Sequence, residues 1–128
     1  MANRTLTGGP IPVFSNQGTT DEVFHDMTGW LPCNQCKSVR MTVEMRSMTT
    51  AIKIKRAYQL CNAQDDPDTA TAFGNYLTLA GFSYPSASGE DISSSWKQYV
   101  RFGVMATQST GTNLEMARVA ISAELRQD

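Results

Sequence analysis

The stretch SVRMTVEMRS, residues 38–47, decides the fold class because apolar and polar side chains alternate along it. Successive side chains of a β-strand point to opposite faces, so a period of two places one residue type on each face. The apolar face consists of Val39, Met41, Val43 and Met45, and the polar face consists of Arg40, Thr42, Glu44 and Arg46. The stretch therefore predicts a strand with one side in a core and the other in solvent.

Similar patterns follow in the rest of the chain. They are AIKIKRAYQLC at 51–61, NYLTLAGFSY at 75–84, SWKQYVRFGVMAT at 95–107 and LEMARVAISAELR at 114–126. In the first of them Arg56 interrupts the apolar face, which indicates a sheet edge or a bend. In the third, Trp96 is in phase with the apolar face and is predicted to be core. The last stretch contains several residues with high helix propensity, so a helix is the main alternative there. Its alternation of apolar and polar residues nevertheless favours a strand.

Turn-forming residues separate these stretches at intervals of roughly ten residues, a spacing typical of sandwiches and jelly rolls. The connections SMTT (47–50) and QSTGTN (108–113) are short enough to predict hairpins, the second of them closing the fold. Polar segments at 62–74 and 85–95 predict loops. PIPVF (10–14) and TGWLPC (28–33) can supply shorter strands.

The sequence thus predicts an all-β fold, a single antiparallel β-sandwich or jelly-roll-like domain over residues 21–128. Before it, MANRTLTGGPIPVFSNQGTT, residues 1–20, is rich in glycine, proline and polar residues. Such segments become ordered when they lie on another subunit. We expect an extended N-terminal arm there.

Length and composition exclude several classes of function. A chain of 128 residues with 41% hydrophobic residues can bury a core without metal or disulfides. Its 11 basic and 12 acidic residues give a net charge of −1, which argues against direct nucleic-acid binding. It has no apolar run of 18 residues and no signal-peptide pattern at its start, so we expect no membrane partner. Three cysteines, an odd number, predict a reduced protein in a cytosol.

The pair of cysteines in WLPCNQCK, residues 30–37, is the strongest chemical motif. A structural zinc site needs four ligands, and the chain offers one Cys3His set, namely His25, Cys33, Cys36 and Cys61. The second half-site spacing is missing, and no βαβ unit surrounds the pair as a thioredoxin-like motif requires. The favoured interpretation is packing cysteines in a turn, with no metal and no cofactor.

Catalytic motifs are lacking. The chain contains one histidine, His25, and no nucleophile elbow or phosphate-binding glycine loop. Carboxylates such as Glu90 and Asp91 offer no motif for glycoside hydrolysis. The acidic turn DDPD, residues 65–68, lacks the EF-hand spacing for calcium. We therefore predict that the protein is not an enzyme and has no catalytic residues.

The surface composition favours protein contacts. Only 18% of the residues are charged, and the polar faces are rich in Ser and Thr, as expected of a surface covered by copies of the chain or by a neighbour. The candidate partner-binding residues are Leu6, Pro10, Ile11, Val13 and Phe14 in the arm, together with Trp30, Tyr84 and Tyr99. The last three aromatic residues equally suit stacking on sugar rings.

Taken together, the arm, the Ser/Thr-rich strands and the segment WKQYVRFGVMATQSTGTNLEMARVAISAELR (96–126) resemble small β-sandwich virion proteins of tailed phages. The resemblance implies a non-enzymatic structural protein, foremost a capsid decoration or cement protein, with itself and a major capsid or other virion protein as partners. It implies a location in the virion, assembled in the host cytoplasm. Alternatives are a tail or fibre component, a carbohydrate-binding module with a glycan as partner, and a zinc-stabilised small enzyme or redox domain.

Overall fold

The computed structural model describes residues 4–15, 22–33, 36–49, 51–78, 86–92, 96–108 and 114–126, with backbone alone for 86–92. These ranges contain nine strands: β1 (Arg4–Phe14), β2 (Val23–Asp26), β3 (Leu31–Pro32), β4 (Ser38–Met48), β5 (Ile52–Cys61), β6 (Thr71–Leu77), β7 (Ser86–Ile92), β8 (Tyr99–Gln108) and β9 (Met116–Arg126). Within the same ranges there is no helix of the length and apolarity that a membrane span requires.

The strands form two antiparallel sheets. Sheet A has the order β1-β9-β4-β7, and sheet B has the order β2-β8-β5-β6. The short strand β3 also pairs with β8, next to β2 along the same edge, so β2 and β3 act as one interrupted strand. The pairings are then first strand with last, second with next to last, and so on inward to β5 with β6. This is a long hairpin rolled up into two sheets, the jelly roll, and it confirms the predicted fold class.

The core lies between the two sheets and is built by the alternation that the sequence shows. The four apolar residues of β4, Val39, Met41, Val43 and Met45, are completely buried. On the same sheet, β9 adds Ala117, Val119, Ile121, Ala123 and Leu125, and β8 of the opposite sheet contributes Val100, Phe102, Val104 and Ala106. Trp96 packs against this core with its ring centroid 5.7 Å from that of Tyr58. Full burial of a Val or Met side chain contributes about 1.5–3 kcal/mol, so these residues dominate the stability of the sandwich.

Both predicted hairpins are wrong. The strand β4 belongs to sheet A and β5 to sheet B, and the strands β8 and β9 are divided between the sheets in the same way. Each short connection therefore crosses from one sheet to the other. Alternation reveals which face of a strand is buried, but in a sandwich it does not reveal whether the next strand lies beside it or across the core.

The boundaries of two predicted loops also change. Residues 71–74, expected in a loop, belong to β6, and residues 86–92, expected in another, form β7. β6 bulges opposite β5, with Gly74 at a φ of +77°. The sequence of β7 consists mainly of small and polar residues and has no alternating apolar positions. The sequence pattern therefore does not predict a strand there, although β7 pairs with β4 along its whole length. Of the predicted strand 75–84, residues 79–84 lie outside the described part of the chain.

Arg56 does not lie at a sheet edge. It is 2% exposed on β5, which has β8 on one side and β6 on the other. The β5–β6 register shifts between Ile54 and Arg56, so the bulge of β6 lies opposite this position. The arginine therefore points into the sandwich from a central strand at a bulge.

The segment expected to form an arm is extended, but residues 4–14 pair with β9 of the same chain as the edge strand of sheet A. Its register shifts between Gly8 and Ile11, with Gly9 at a φ of +82°. A Cβ on Gly8 would overlap the main-chain oxygen of Met27, so glycine allows β1 to approach the neighbouring sheet. Residues 1–3 and 16–20 are outside the described ranges, and the boundary between arm and domain at residue 20 stays a prediction.

Candidate interaction surface

The outer face of sheet B carries two of the aromatic side chains that the sequence singles out, Trp30 and Tyr99. Trp30 immediately precedes β3, and Tyr99 opens β8 opposite Pro32 of β3 and Cys61 of β5. Trp30 is 38% exposed and Tyr99 is 36% exposed. Together with Cys61 and Ala63 they line an open pocket of about 330 Å³, which we call the aromatic pocket. The rolled-up strand order thus brings two predicted site residues together from distant parts of the chain.

Arg101 fixes Trp30 in place. Its guanidinium lies 4.6 Å from the centre of the Trp30 ring and 5.6 Å from that of Phe24, both within the range of cation–π attraction. It also forms an ion pair with Asp26 at 3.8 Å, and its Nε donates a hydrogen bond to Oε1 of Gln59 at 2.7 Å. Sequence reasoning missed this residue, although its position on the polar face two residues after Tyr99 is a usable signal.

A polar pocket of about 510 Å³ adjoins the aromatic one and shares Ala63 with it. We call it the amide pocket; it is lined by Asn62, Ala63, Gln64, Asp65 and Gln98. The backbone nitrogen of Gln98 donates to Oδ1 of Asn62 at 3.2 Å, and that of Ala63 donates to Oε1 of Gln98 at 2.7 Å. These two bonds tie the loop after β5 to the start of β8 and orient both amide side chains.

The acidic turn considered for calcium lies beside the amide pocket. Asp68 accepts a bond from Nζ of Lys97 at 2.7 Å, and this contact raises the pKa of Lys97. The backbone nitrogen of Asp65 donates to the oxygen of Asn62, which closes a turn. Within the described part of the chain, no three His, Cys, Asp or Glu side chains are placed to hold a metal ion.

Of the four residues considered for zinc, Cys33 and Cys36 lie together, whereas Cys61 and His25 bond to main-chain oxygens of other segments. Cys33 is buried. Its burial is the larger cause, and its hydrogen bond with the Cys36 thiol the smaller one, that raises the pKa of the Cys33 thiol far above the ordinary value. The backbone nitrogen of Cys36 donates to the oxygen of Cys33, so the pair lies in a turn. The thiol of Cys61 donates to the main-chain oxygen of Asn62, and Nε2 of His25 bonds to that of Phe14.

The other candidate contact residues divide by exposure. Leu6 and Ile11 are half-buried against the core, whereas Pro10 is exposed and Phe14 is 40% exposed. Val13 is completely buried, which corrects its assignment as a contact residue: it points between the sheets opposite Ala117. Tyr84 lies outside the described residues.

A second apolar patch includes a residue that the sequence did not single out. Leu114 is 51% exposed, and it precedes Glu115, whose oxygen accepts a bond from the backbone nitrogen of Ser15. This places it close to Phe14, which lies opposite Met116 in the β1–β9 pair. We call Phe14, Leu114 and Met116 the β1–β9 patch.

The chain matches no protein-family model and no curated protein. Its fold, however, is that of solved structures from infectious bursal disease virus. The structure of the Gt strain is similar over 95% of this chain and 32% of that chain, with 12% identity and a TM-score of 0.63. The structure of the VP2 subviral particle is similar over 98% of this chain and 33% of that chain, with 9% identity and a TM-score of 0.61. The VP2 protein in T=1 particles is similar over 98% of this chain and 32% of that chain, with 11% identity and a TM-score of 0.61.

These likenesses define the class of fold, a jelly-roll domain of a kind that viral particles contain. At 9–12% identity they establish the fold alone. The chain spans about a third of the length of the proteins it matches.

Proposed function

We propose that the protein is a non-enzymatic structural component of a virion. The observation that supports this most is the likeness of 95–98% of the chain to proteins solved in viral particles of infectious bursal disease virus. Jelly rolls also occur in lectins and in some enzymes, so the fold alone does not select the role. The low charge of the chain, 18%, agrees with a surface covered by other subunits.

The specific role we propose is that of a decoration or cement protein on the capsid exterior. A single jelly roll of 128 residues stabilises a shell by burying surface at contacts, and symmetry repeats each contact over many copies. Its partners are copies of itself and the major capsid protein, in a particle assembled in the host cytoplasm. We propose a tailed phage as the source of this virion, and a tail or fibre component is the alternative to the decoration role.

The β1–β9 patch is the contact surface that we assign to this role. Phe14 and Leu114 are large exposed apolar side chains on neighbouring segments, and exposed apolar clusters mark protein contact sites. Burying apolar surface contributes about 25 cal/mol per Å², so two such side chains can anchor a small contact. Phe14 is also one of the residues that the sequence predicts as a contact.

The test is co-sedimentation of the purified chain with particles of its virus from which it has been stripped. We expect binding by the wild type and its loss in the double variant Phe14→Ser, Leu114→Ser. The matched control is Thr5→Ser, which changes an exposed residue of the same strand. Equal binding by the double variant contradicts the assignment of the patch, and failure of the wild type to bind contradicts the decoration role.

A further inference from the structure

The aromatic pocket and the amide pocket are adjacent and share the lining residue Ala63, and we call the two together the groove. They meet at Ala63, with Trp30 and Tyr99 on one side and the amides of Asn62, Gln64 and Gln98 on the other. Their volumes, about 330 and 510 Å³, lie in the range of small-molecule sites. An apolar wall beside a row of amides matches a ligand with one apolar face and many hydroxyl groups.

A sugar ring has this division. Its C–H groups form an apolar face that aromatic rings attract through their negative π-surface, and its hydroxyls need donors and acceptors around the edge. The Trp30 ring is held by Arg101 at 4.6 Å, so its exposed surface is fixed before any ligand arrives. A rigid site loses less conformational entropy on binding.

The amide side is also preorganised. Asn62 and Gln98 each use their side-chain oxygen to accept a backbone hydrogen bond, which anchors the two amides. Among the described residues, Nε2 of Gln98 makes no hydrogen bond, so both of its donors remain for a ligand. Gln64 is exposed on the loop and adds a complete amide group.

The charges around the groove select a neutral ligand. Among the described residues, two cations close to the groove are paired with carboxylates, Arg101 with Asp26 and Lys97 with Asp68. The carboxylate of Asp65 lines the groove itself and repels an anion. An acidic sugar would need an available cation at this position.

We propose that this groove binds a neutral oligosaccharide, with Trp30 and Tyr99 stacking on a pyranose ring and Gln64 and Gln98 bonding its hydroxyls. The site is distinct from the β1–β9 patch and does not depend on the virion role. Aromatic side chains also occur at protein contacts, so a second protein is the competing occupant.

The experiment is a glycan array of neutral and sialylated oligosaccharides, followed by titration of the best neutral ligand against variants of the full chain. Trp30→Ala and Tyr99→Ala each lower affinity by roughly tenfold, the equivalent of about 1.4 kcal/mol. Gln64→Ala lowers it several-fold; because its side chain is exposed on a loop, this variant keeps the test valid if Trp30→Ala fails to fold. The control Thr5→Ala changes an exposed residue of sheet A that lines neither pocket, and it leaves sugar binding unchanged.

Three outcomes overturn the proposal. They are the absence of binding to any neutral oligosaccharide at millimolar concentration, binding restricted to sialylated ligands, and equal loss of binding in Thr5→Ala. If Trp30→Ala also abolishes self-association or particle binding in the absence of sugar, the groove is a protein contact. Particle binding that survives Trp30→Ala but fails in the β1–β9 patch variant separates this site from the proposed function.

Discussion

Nε2 of His25 lies 2.8 Å from the main-chain oxygen of Phe14, and this contact joins the edge strand of sheet B to the edge strand of sheet A. Because a carbonyl oxygen only accepts, Nε2 carries the proton in this bond. The single histidine of the chain thus closes one side of the sandwich. It was a candidate zinc ligand from the sequence, and the structure gives it a role in joining the two sheets.

Replacing His25 tests whether its hydrogen bond to Phe14 stabilises the contact between the two sheets. We expect His25→Ala to lower the free energy of unfolding by about 1 kcal/mol, the usual net value of one hydrogen bond. His25→Gln retains a donor on a side chain of similar reach, and we expect it to recover part of the loss. Urea denaturation measures both. Equal stability of His25→Ala and wild type would show that the contact does not hold the sheets together.

The close approach of β2 to β8 gives a second prediction. A Cβ on Gly103 would overlap the main-chain oxygen of His25, so we expect Gly103→Ala to lose about 3 kcal/mol of stability or to fail to fold. Gly29 is the matched control, since its φ is +73° but a Cβ there would meet no atom within 4 Å. Gly29→Ala should cost only about 1 kcal/mol, from backbone strain. Thermal unfolding of both variants compares them, and similar losses would mean that β2 does not lie against Gly103.

Because the Cys33 thiol is buried, we expect the protein to lose stability at alkaline pH. In the unfolded chain its thiol loses a proton near the ordinary pKa of 9.0, whereas burial raises the pKa of the folded chain's thiol well above this. Unfolding then releases a proton, so the free energy of unfolding decreases as the pH rises above about 9. We expect Cys33→Ala to reduce this decrease between pH 8 and pH 10.5, measured by urea denaturation at each pH. A slope identical to that of the wild type would place the Cys33 thiol in solvent.

Engineered disulfides test the strand order, in a background where the three native cysteines are replaced by Ala. Thr5 and Glu124 are directly opposite in the β1–β9 pair, so cysteines at both positions should crosslink on oxidation. Tyr99 and Ser122 would be opposite in a β8–β9 hairpin with its turn at residues 108–113, but they lie on different sheets. Sheets pack about 10 Å apart, so cysteines there should stay reduced. Peptide mapping reads out both pairs, and the reverse result would restore the hairpin and reject the jelly roll.

The inward faces of the long strands could be predicted from the sequence. Burial of one face of a strand requires an apolar residue at every second position, and this alternation is visible in the sequence. Val39 and Val43 are completely buried as their phase requires. Pairing could not be predicted in this way, since the two sheets bury the same kind of face. β7 was missed for a related reason: SASGEDI carries almost no apolar residues, and its pairing with β4 identifies it as a strand.

The candidate sites were partly predictable. Trp30 and Tyr99 could be singled out because large aromatic side chains in a weakly charged protein favour contact or ligand surfaces. Their meeting beside Cys61 and Ala63 depends on the strand order, which the sequence did not supply. Val13 was assigned to the surface because it lies in a segment rich in glycine and proline. Its alternation with exposed Pro12 and Phe14 was the signal that it faces the core.

The central claim, that this chain is a structural part of a virion, is tested most directly by the composition of purified particles. Particles of the virus that encodes the chain are banded on a density gradient, and quantitative mass spectrometry measures each fraction. The account predicts that the chain is in the particle band at a constant ratio to the main shell protein across that band. Recovery of the chain only in the soluble fractions, with none in the particle band, would contradict it.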